Sequence, residues 1–219
     1  NAGVDNISVF RKLFTWSKPG ERVLVALTAG NLATTQSTIS TLDERVRQGG
    51  PSIMDASSMF QAARLVGETL RTVIQSNALT GQNADSAFNA SIIFGGQIAG
   101  GPPRLFLIYP EGNFIEASAD TPFFQIGETK YGRPILVRAF DPDMSFEDAI
   151  KLLLVSFDST LKANLSVGLP LDLQICESDK LELGPARRIE PDDHYYQVVS
   201  SGWGEALRRA FQSLPPFKL

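Results

Sequence analysis

The feature that most restricts the fold is a change of hydrophobic period at Gly30. The run RVLVALTAG, Arg22 to Gly30, is apolar almost throughout and is entered through the turn SKPGE, the pattern of a buried strand. Directly after it Leu32, Ile39, Leu42 and Val46 fall on one helical face, and QGGP at 48–51 stops that helix. A longer helix is expected from about Asp55 to Asn77, where Met59, Ala63, Val66, Leu70 and Val73 step by three and four.

Strand character then returns. SIIFGGQI (91–98), RLFLIYP (104–110) and FIEAS (114–118) read as strands joined by AGGPP and PEGN, both of hairpin chemistry. TKYGRPILVRAF is expected to be helical beyond its proline. DMSFEDAIKLLLVSFDSTLKANLS predicts a strong helix, with Ser145 and Asp148 as its cap and Ile150, Leu153, Phe157 and Leu161 as its inner stripe. GLPLDLQIC reads as a strand, HYYQVV as another, and GEALRRAFQSL as a short terminal helix. Helices thus come in two clusters separated by antiparallel strands, which predicts an α+β chain, not an alternating one. Two helix pairs need two sheet faces to cover. The expectation is therefore one domain over 1–219, a four-layer αββα sandwich of two antiparallel sheets. The first strand region is short of partners in that scheme, so a hairpin preceding Asn1 is expected.

Composition limits the chemistry. The 219 residues are 43% hydrophobic and 20% charged, enough to build a sizeable core. A net charge of −4 argues against a nucleic-acid partner, and no apolar run reaches the roughly 18 residues of a membrane helix. The lone cysteine, Cys176, rules out a disulfide within the chain and predicts a reducing, cytoplasmic home. Cys176 lies in the alternating run LDLQIC and reads as a small buried hydrophobe. His194, the lone histidine, lies in EPDDHYYQVV and reads as a solvated turn residue leading into a strand. With one of each, a Cys/His zinc site within the chain is excluded. A Ser-His-Asp or Cys-His triad could run only through His194 or Cys176, and with His194 read as solvated the expectation for a hydrolase is acid-base chemistry without imidazole.

Two glycine motifs are set aside. GETKYGRP, 127–134, has the spacing of a phosphate loop but carries Arg133 and Pro134 where Lys and Ser/Thr belong, and proline has no N–H for a phosphate. The glycines at 95, 96, 100 and 101 have no helix after them and read as turn and bulge residues. Gly30 is different. It ends a buried strand and begins a helix, so its amide faces an electropositive helix start, a corner suited to an oxyanion. Lys12 follows SVFR in a segment expected to be a strand.

Taken together, the segments NAGVDNIS…FRK at 1–12, LTAGNLATTQ at 27–36, IGETKYGRPIL at 126–136 and NLSVGLPLDL at 164–173 resemble the proteasome β-subunit family of N-terminal-nucleophile hydrolases. Within it they are similar to the bacterial ancestral β-subunit (Anbu) branch. The resemblance implies the αββα fold and a nucleophilic hydroxyl on the mature chain's first residue, with that residue's own amine as base. It implies Lys12 as the cation beside the nucleophile, Gly30 as the oxyanion donor and Ser166 as the hydroxyl that supports the amine. Asn1, Thr28 and Leu32 would bind substrate, whose backbone would pair as an added strand between the 1–3 segment and Gly30.

The sequence also departs from the family pattern. The family's Asp-x-x-Ser reads here Ala163-Asn164-Leu165-Ser166, and Glu128 stands where a further active-site serine is usual. A carboxylate at 128 would pair with the amine or with Lys12. Asn1 has no hydroxyl, so the nucleophile is expected upstream of it. The function implied is a threonine-type amide-bond hydrolase acting on peptides or proteins. It would need no cofactor and would work in a large homo-oligomer through the Met59 helix and the 145–164 helix, an unfoldase partner being left open. The alternatives are a non-catalytic self-assembling scaffold of the same fold, favoured by Glu128 and Ala163, or an amidase for a small molecule or modified peptide.

Overall fold

The computed structural model describes residues 9–78 and 88–218; Asn1 lies outside them. The described residues fall into two compact units. One is drawn from Phe10–Gly127 and Asp172–Arg187, the other chiefly from Glu128–Leu171 and Arg188–Leu219.

In the first unit, β2 (Arg22–Gly30) runs between β1 (Leu13–Lys18) and β3 (Ala90–Ile98). β4 (Arg104–Ile108) and β5 (Phe114–Glu116) complete a five-stranded antiparallel sheet in the order β1-β2-β3-β4-β5. The register sets Ala26 opposite Phe14 on one side and Phe94 on the other, and Phe94 opposite Phe106. Opposed residues share a face, so these side chains form one apolar layer. Helices α1 (Leu32–Gln48) and α2 (Met59–Ala78) cover it with Leu42, Ala63, Val66 and Leu70, all buried together with Leu24, Ala26, Phe94 and Phe106. Each large apolar side chain taken fully from water contributes about 1.5–3 kcal/mol, which makes this layer the main source of the unit's stability.

Helix α1 ends as the sequence predicts, at Gly49 in the left-handed conformation. Helix α2 starts at Met59, four residues later than its periodicity suggests. The Ser52 hydroxyl donates to Asp55 (2.5 Å) and takes the Met54 N–H (3.2 Å), holding 52–55 in a polar turn, and Ser58 then accepts the Gln61 N–H (3.2 Å). Met59 is itself buried, a core residue and not part of a free surface.

The second unit contains α3 (Arg133–Ala139), α4 (Phe146–Ala163) and α5 (His194–Ser213). Ser145 caps α4 through the Asp148 N–H (3.1 Å), as expected. The inner face of α4 is the expected one only in part: Ile150 packs on the cluster of Leu154, Ile189 and Tyr196. Leu154, Val155, Ser156, Asp158 and Thr160 are buried, whereas Leu153 is 41% and Phe157 42% exposed. Close approach decides the matter. A Cβ on Gly132 would lie 2.3 Å from the Ser156 Oγ, and Tyr196 of α5 donates its hydroxyl to Asp158 (3.0 Å). The neighbours thus pack over small and polar positions, and the most apolar stripe is turned outward.

HYYQVV is a second correction. Its aromatic and β-branched residues suggest a strand, but it forms the first turns of α5, capped by Asp193 accepting the Tyr196 N–H at 2.9 Å. His194 is the first residue of that helix, not a turn before a strand. The strand lies earlier, at β7 (Ala186–Ile189), whose ARRI carries too little apolar alternation to announce itself. It pairs with β6 (Leu171–Gln174) in a two-stranded sheet. Cys176 follows β6, half-buried, with its thiol pushed up by desolvation.

Burial and the Asp158 contact hold the Tyr196 phenol protonated well above its ordinary value near 10. Because the folded-state value is raised, this stability is complete below pH 10 and lost as pH rises further. Tyr196→Phe should cost about 1–3 kcal/mol at neutral pH by leaving Asp158 buried without its donor, and should remove this alkaline dependence. Urea unfolding at several pH values measures both effects. Gly67 offers a test with an inverted sign. Alanine usually favours a helix over glycine by about 1 kcal/mol, but a Cβ at Gly67 would lie 2.2 Å from the Gly112 carbonyl oxygen. Gly67→Ala should therefore destabilise.

Candidate active site

The corner at Gly30 is built by backbone register. The Asn31 N–H donates to Asn89 O (2.9 Å) and the Thr28 N–H to Lys12 O (3.0 Å). Amides alternate between neighbours along an antiparallel strand, so the Gly30 N–H points to the same side as that of Thr28, one step beyond Lys12. Among the described residues no acceptor takes it. Gly30 has φ 109°, and a Cβ there would stand 2.4 Å from Asn89 O, so only glycine fits.

Lys12 lies one residue before β1, yet its carbonyl continues the β1–β2 ladder. Opposed to Thr28, it falls on the face shared by Phe14, Trp16, Leu24 and Ala26, at the end of the sheet where α1 begins. Its side chain is exposed. Thr28 is only 4% exposed, a wall residue, and Leu32 is half-buried as the first residue of α1. Asn31 caps α1 by accepting the Thr34 N–H (2.9 Å), and the first turn carries no acid. The helix start therefore keeps its positive end next to the Gly30 amide.

In the other unit Glu128 and Ser166 are joined by a residue that the sequence reading did not place in the site. The Ser166 hydroxyl and N–H both donate to Asn164 Oδ1 (2.7 and 2.8 Å). The Asn164 Nδ2 donates to Glu128 Oε2 (3.0 Å), and Glu128 Oε1 accepts the Lys130 N–H (2.9 Å). Asn164 is also the C-cap of α4. The Asn-x-Ser spacing is the available signal, since such side chains bond the backbone two residues on. The expected pairing of Glu128 was with Lys12 or the amine; within its own unit it accepts from Asn164 and Lys130. Asn1 lies outside the described residues. Among the described residues no cluster of acidic, His or Cys side chains could hold a metal ion, and no helix is long and apolar enough to cross a membrane.

The model of the proteasome subunit family matches residues 24–173. Three solved structures are similar over 100% of this chain. Anbu from Hyphomicrobium sp. strain MC1 is 50% identical with a TM-score of 0.91, over 91% of that chain. Anbu, the ancestral beta-subunit, from Yersinia bercovieri is 49% identical with a TM-score of 0.92, over 91% of that chain. The helical assembly of the Anbu complex from Pseudomonas aeruginosa is 48% identical with a TM-score of 0.94, over 90% of that chain. The chain belongs to the proteasome family, in its Anbu branch. Its fold is the α+β Ntn-hydrolase type expected of that family, with two antiparallel sheets. No curated protein matches it.

In this proteasome-family subunit Asn164 is the joint between Ser166 and Glu128. Asn164→Asp keeps an acceptor for Ser166 but sets a second carboxylate against Glu128. Two such groups cannot both ionise freely, and one carboxyl value is driven upward. The variant should be about 1 kcal/mol less stable than the parent at pH 7.5. Because the raised group regains its proton in acid, the deficit should shrink as pH falls towards 5, as thermal unfolding across that range would show.

Proposed function

We propose that the full protein is an amide-bond hydrolase of the N-terminal-threonine type. It would act on peptides or proteins in the cytoplasm as a homo-oligomer, each 1–219 segment forming one domain. The observation that carries this reading is the Gly30 amide, unaccepted among the described residues and directed to the edge beside Lys12 at the positive end of α1. The reacting threonine would precede Asn1.

Its amine would take the hydroxyl proton as Oγ attacks the substrate carbonyl carbon. The oxygen that gains charge would accept the Gly30 N–H, and the Lys12 ammonium would favour the ionised hydroxyl. The protonated amine would then give its proton to the leaving nitrogen as the C–N bond breaks, leaving an ester that water hydrolyses. By the family resemblance Ser166 would support the amine; within its own unit it is held by Asn164, which also binds Glu128. Substrate backbone would pair beside Gly30, with Thr28 and Leu32 lining its side-chain pocket and Asn1 among the substrate-binding residues. Self-association draws support from the helical assembly of the 48%-identical relative.

A threonine-directed electrophile applied to the full-length protein tests the reading. Labelling should occur and should slow by roughly 10²–10⁴-fold in Lys12→Ala, the usual range for a group that assists proton transfer. Equal labelling of the variant would remove Lys12 from the mechanism. A second reading, a scaffold without catalysis, is favoured by the Glu128–Asn164 bond, which puts a carboxylate where the family resemblance expects serine. Under that reading the folded, self-associated protein takes up no label.

A further inference from the structure

The stretch that opens α3 carries a group of charges that the mechanism above leaves unused. A cleft of about 340 Å³ is lined by Thr129, Lys130, Arg133, Pro134, Val137 and Arg138. Three of its six residues are cations and none is an acid. All three cations are exposed, and among the described residues no carboxylate pairs with them. Exposed cations elsewhere are taken: Arg64 by Glu68, Lys151 by Asp148, Lys180 by Glu177 and Arg209 by Glu205. In a chain of net charge −4, three unpaired cations around one concavity are a local reversal of sign.

The backbone holds the group in place. The Lys130 N–H donates to Glu128 Oε1 (2.9 Å) and the Arg133 N–H to Thr129 O (3.0 Å). Gly132 sits against α4, where a Cβ would stand 2.3 Å from the Ser156 Oγ, and Pro134 stiffens the first turn of α3. The apolar part of the lining is Pro134 and Val137, the latter 62% exposed.

These features select the kind of anion. A compact phosphate is held by converging backbone amides, and the amides of Lys130 and Arg133 are already used. The charges instead surround an apolar strip. Arg133 and Arg138 are about 7.5 Å apart along the helix axis, close to the roughly 6.8 Å between alternate residues on one side of an extended chain. Glutamate side chains at such positions can lay their methylenes on Pro134 and Val137 and reach the guanidinium groups with their carboxylates, a strong pairing.

We propose that this cleft binds an extended acidic stretch of a peptide, with carboxylates at alternate positions on Arg133 and Arg138 and Lys130 as the third cation. Thr129 directly follows Glu128 of the candidate site, so the proposal deepens the hydrolase reading by naming acidic peptides as the substrate class. It rests on that reading for cleavage and not for binding.

The test is fluorescence anisotropy of a fluorescein-labelled peptide with Glu at alternate positions, titrated with the full-length protein. Versions with Gln or Lys at those positions should bind ~10-fold or more weakly, and added salt should weaken the acidic peptide. Arg133→Glu with Arg138→Glu should raise its Kd by ~10-fold or more and make the Lys peptide the better ligand, an inversion that misfolding cannot produce. Arg47→Glu with Arg208→Glu, the same charge change at exposed positions elsewhere, should leave Kd unchanged. Inorganic phosphate at constant ionic strength should leave the peptide bound; its displacement would reassign the cleft to a compact anion. In cleavage assays the double variant should raise KM for the acidic peptide while kcat and the rate of electrophile labelling stay as in wild type. Equal or absent binding of the Glu and Lys peptides, or equal Kd in the double variant, would overturn the cleft. Charge-selective binding with neither cleavage nor labelling would overturn the hydrolase reading and leave the cleft standing.

Discussion

The β2–β3 backbone contact at Gly30 is the constraint on which the rest depends. Asn89 O approaches so closely that residue 30 can have no side chain, and the same oxygen holds the Asn31 N–H. One contact therefore ends the strand, starts α1, and turns one amide away from its sheet partner. Upstream of it, Leu24 and Ala26 are locked in the core by α1 and α2, so the corner stands on a rigid support. Preorganisation of this kind is what electrostatic stabilisation of a developing charge requires, because the donor has no reorganisation left to undergo.

The second unit solves a different problem. Its packing face on α4 is made of Ser156, Asp158 and Thr160 as well as Leu154 and Val155, since Gly132 and Tyr196 bring their helices close there. The price is an apolar stripe left outside, and α5 adds a second one beyond Trp203. In the same unit Asn164 ends α4 and binds both Ser166 and Glu128, so the placement of the candidate polar residues follows from how the helix terminates.

How much of this could be read from the sequence depends on the strength of the local signal. β2 and α1 announce themselves because period two changes to period 3.6 at one glycine, and the Ser145 cap and Gly49 stop are local chemistry. The family resemblance named Lys12, Thr28 and Gly30 by role; the ladder bond from Thr28 to Lys12 makes those two cross-strand neighbours, and Gly30 follows Thr28 by two residues. HYYQVV misled because its residues favour strands in isolation, while a single Asp193 cap and the packing of Tyr196 on α4 determine its state. Leu153 and Phe157 misled because hydrophobicity identifies a stripe but not what will cover it. Asn164 went unassigned because its role depends on Glu128, 36 positions away.

The most direct test of the account is a crystal structure of the full-length protein carrying a peptide boronate on its nucleophile, a mimic of the tetrahedral intermediate. The account predicts a boronate oxygen accepting the Gly30 N–H at about 2.7–3.1 Å, the separation of a working oxyanion donor, with the peptide side chain next to it lying against Thr28. An adduct whose oxygen is bound elsewhere, with the Gly30 amide left to solvent, would contradict it.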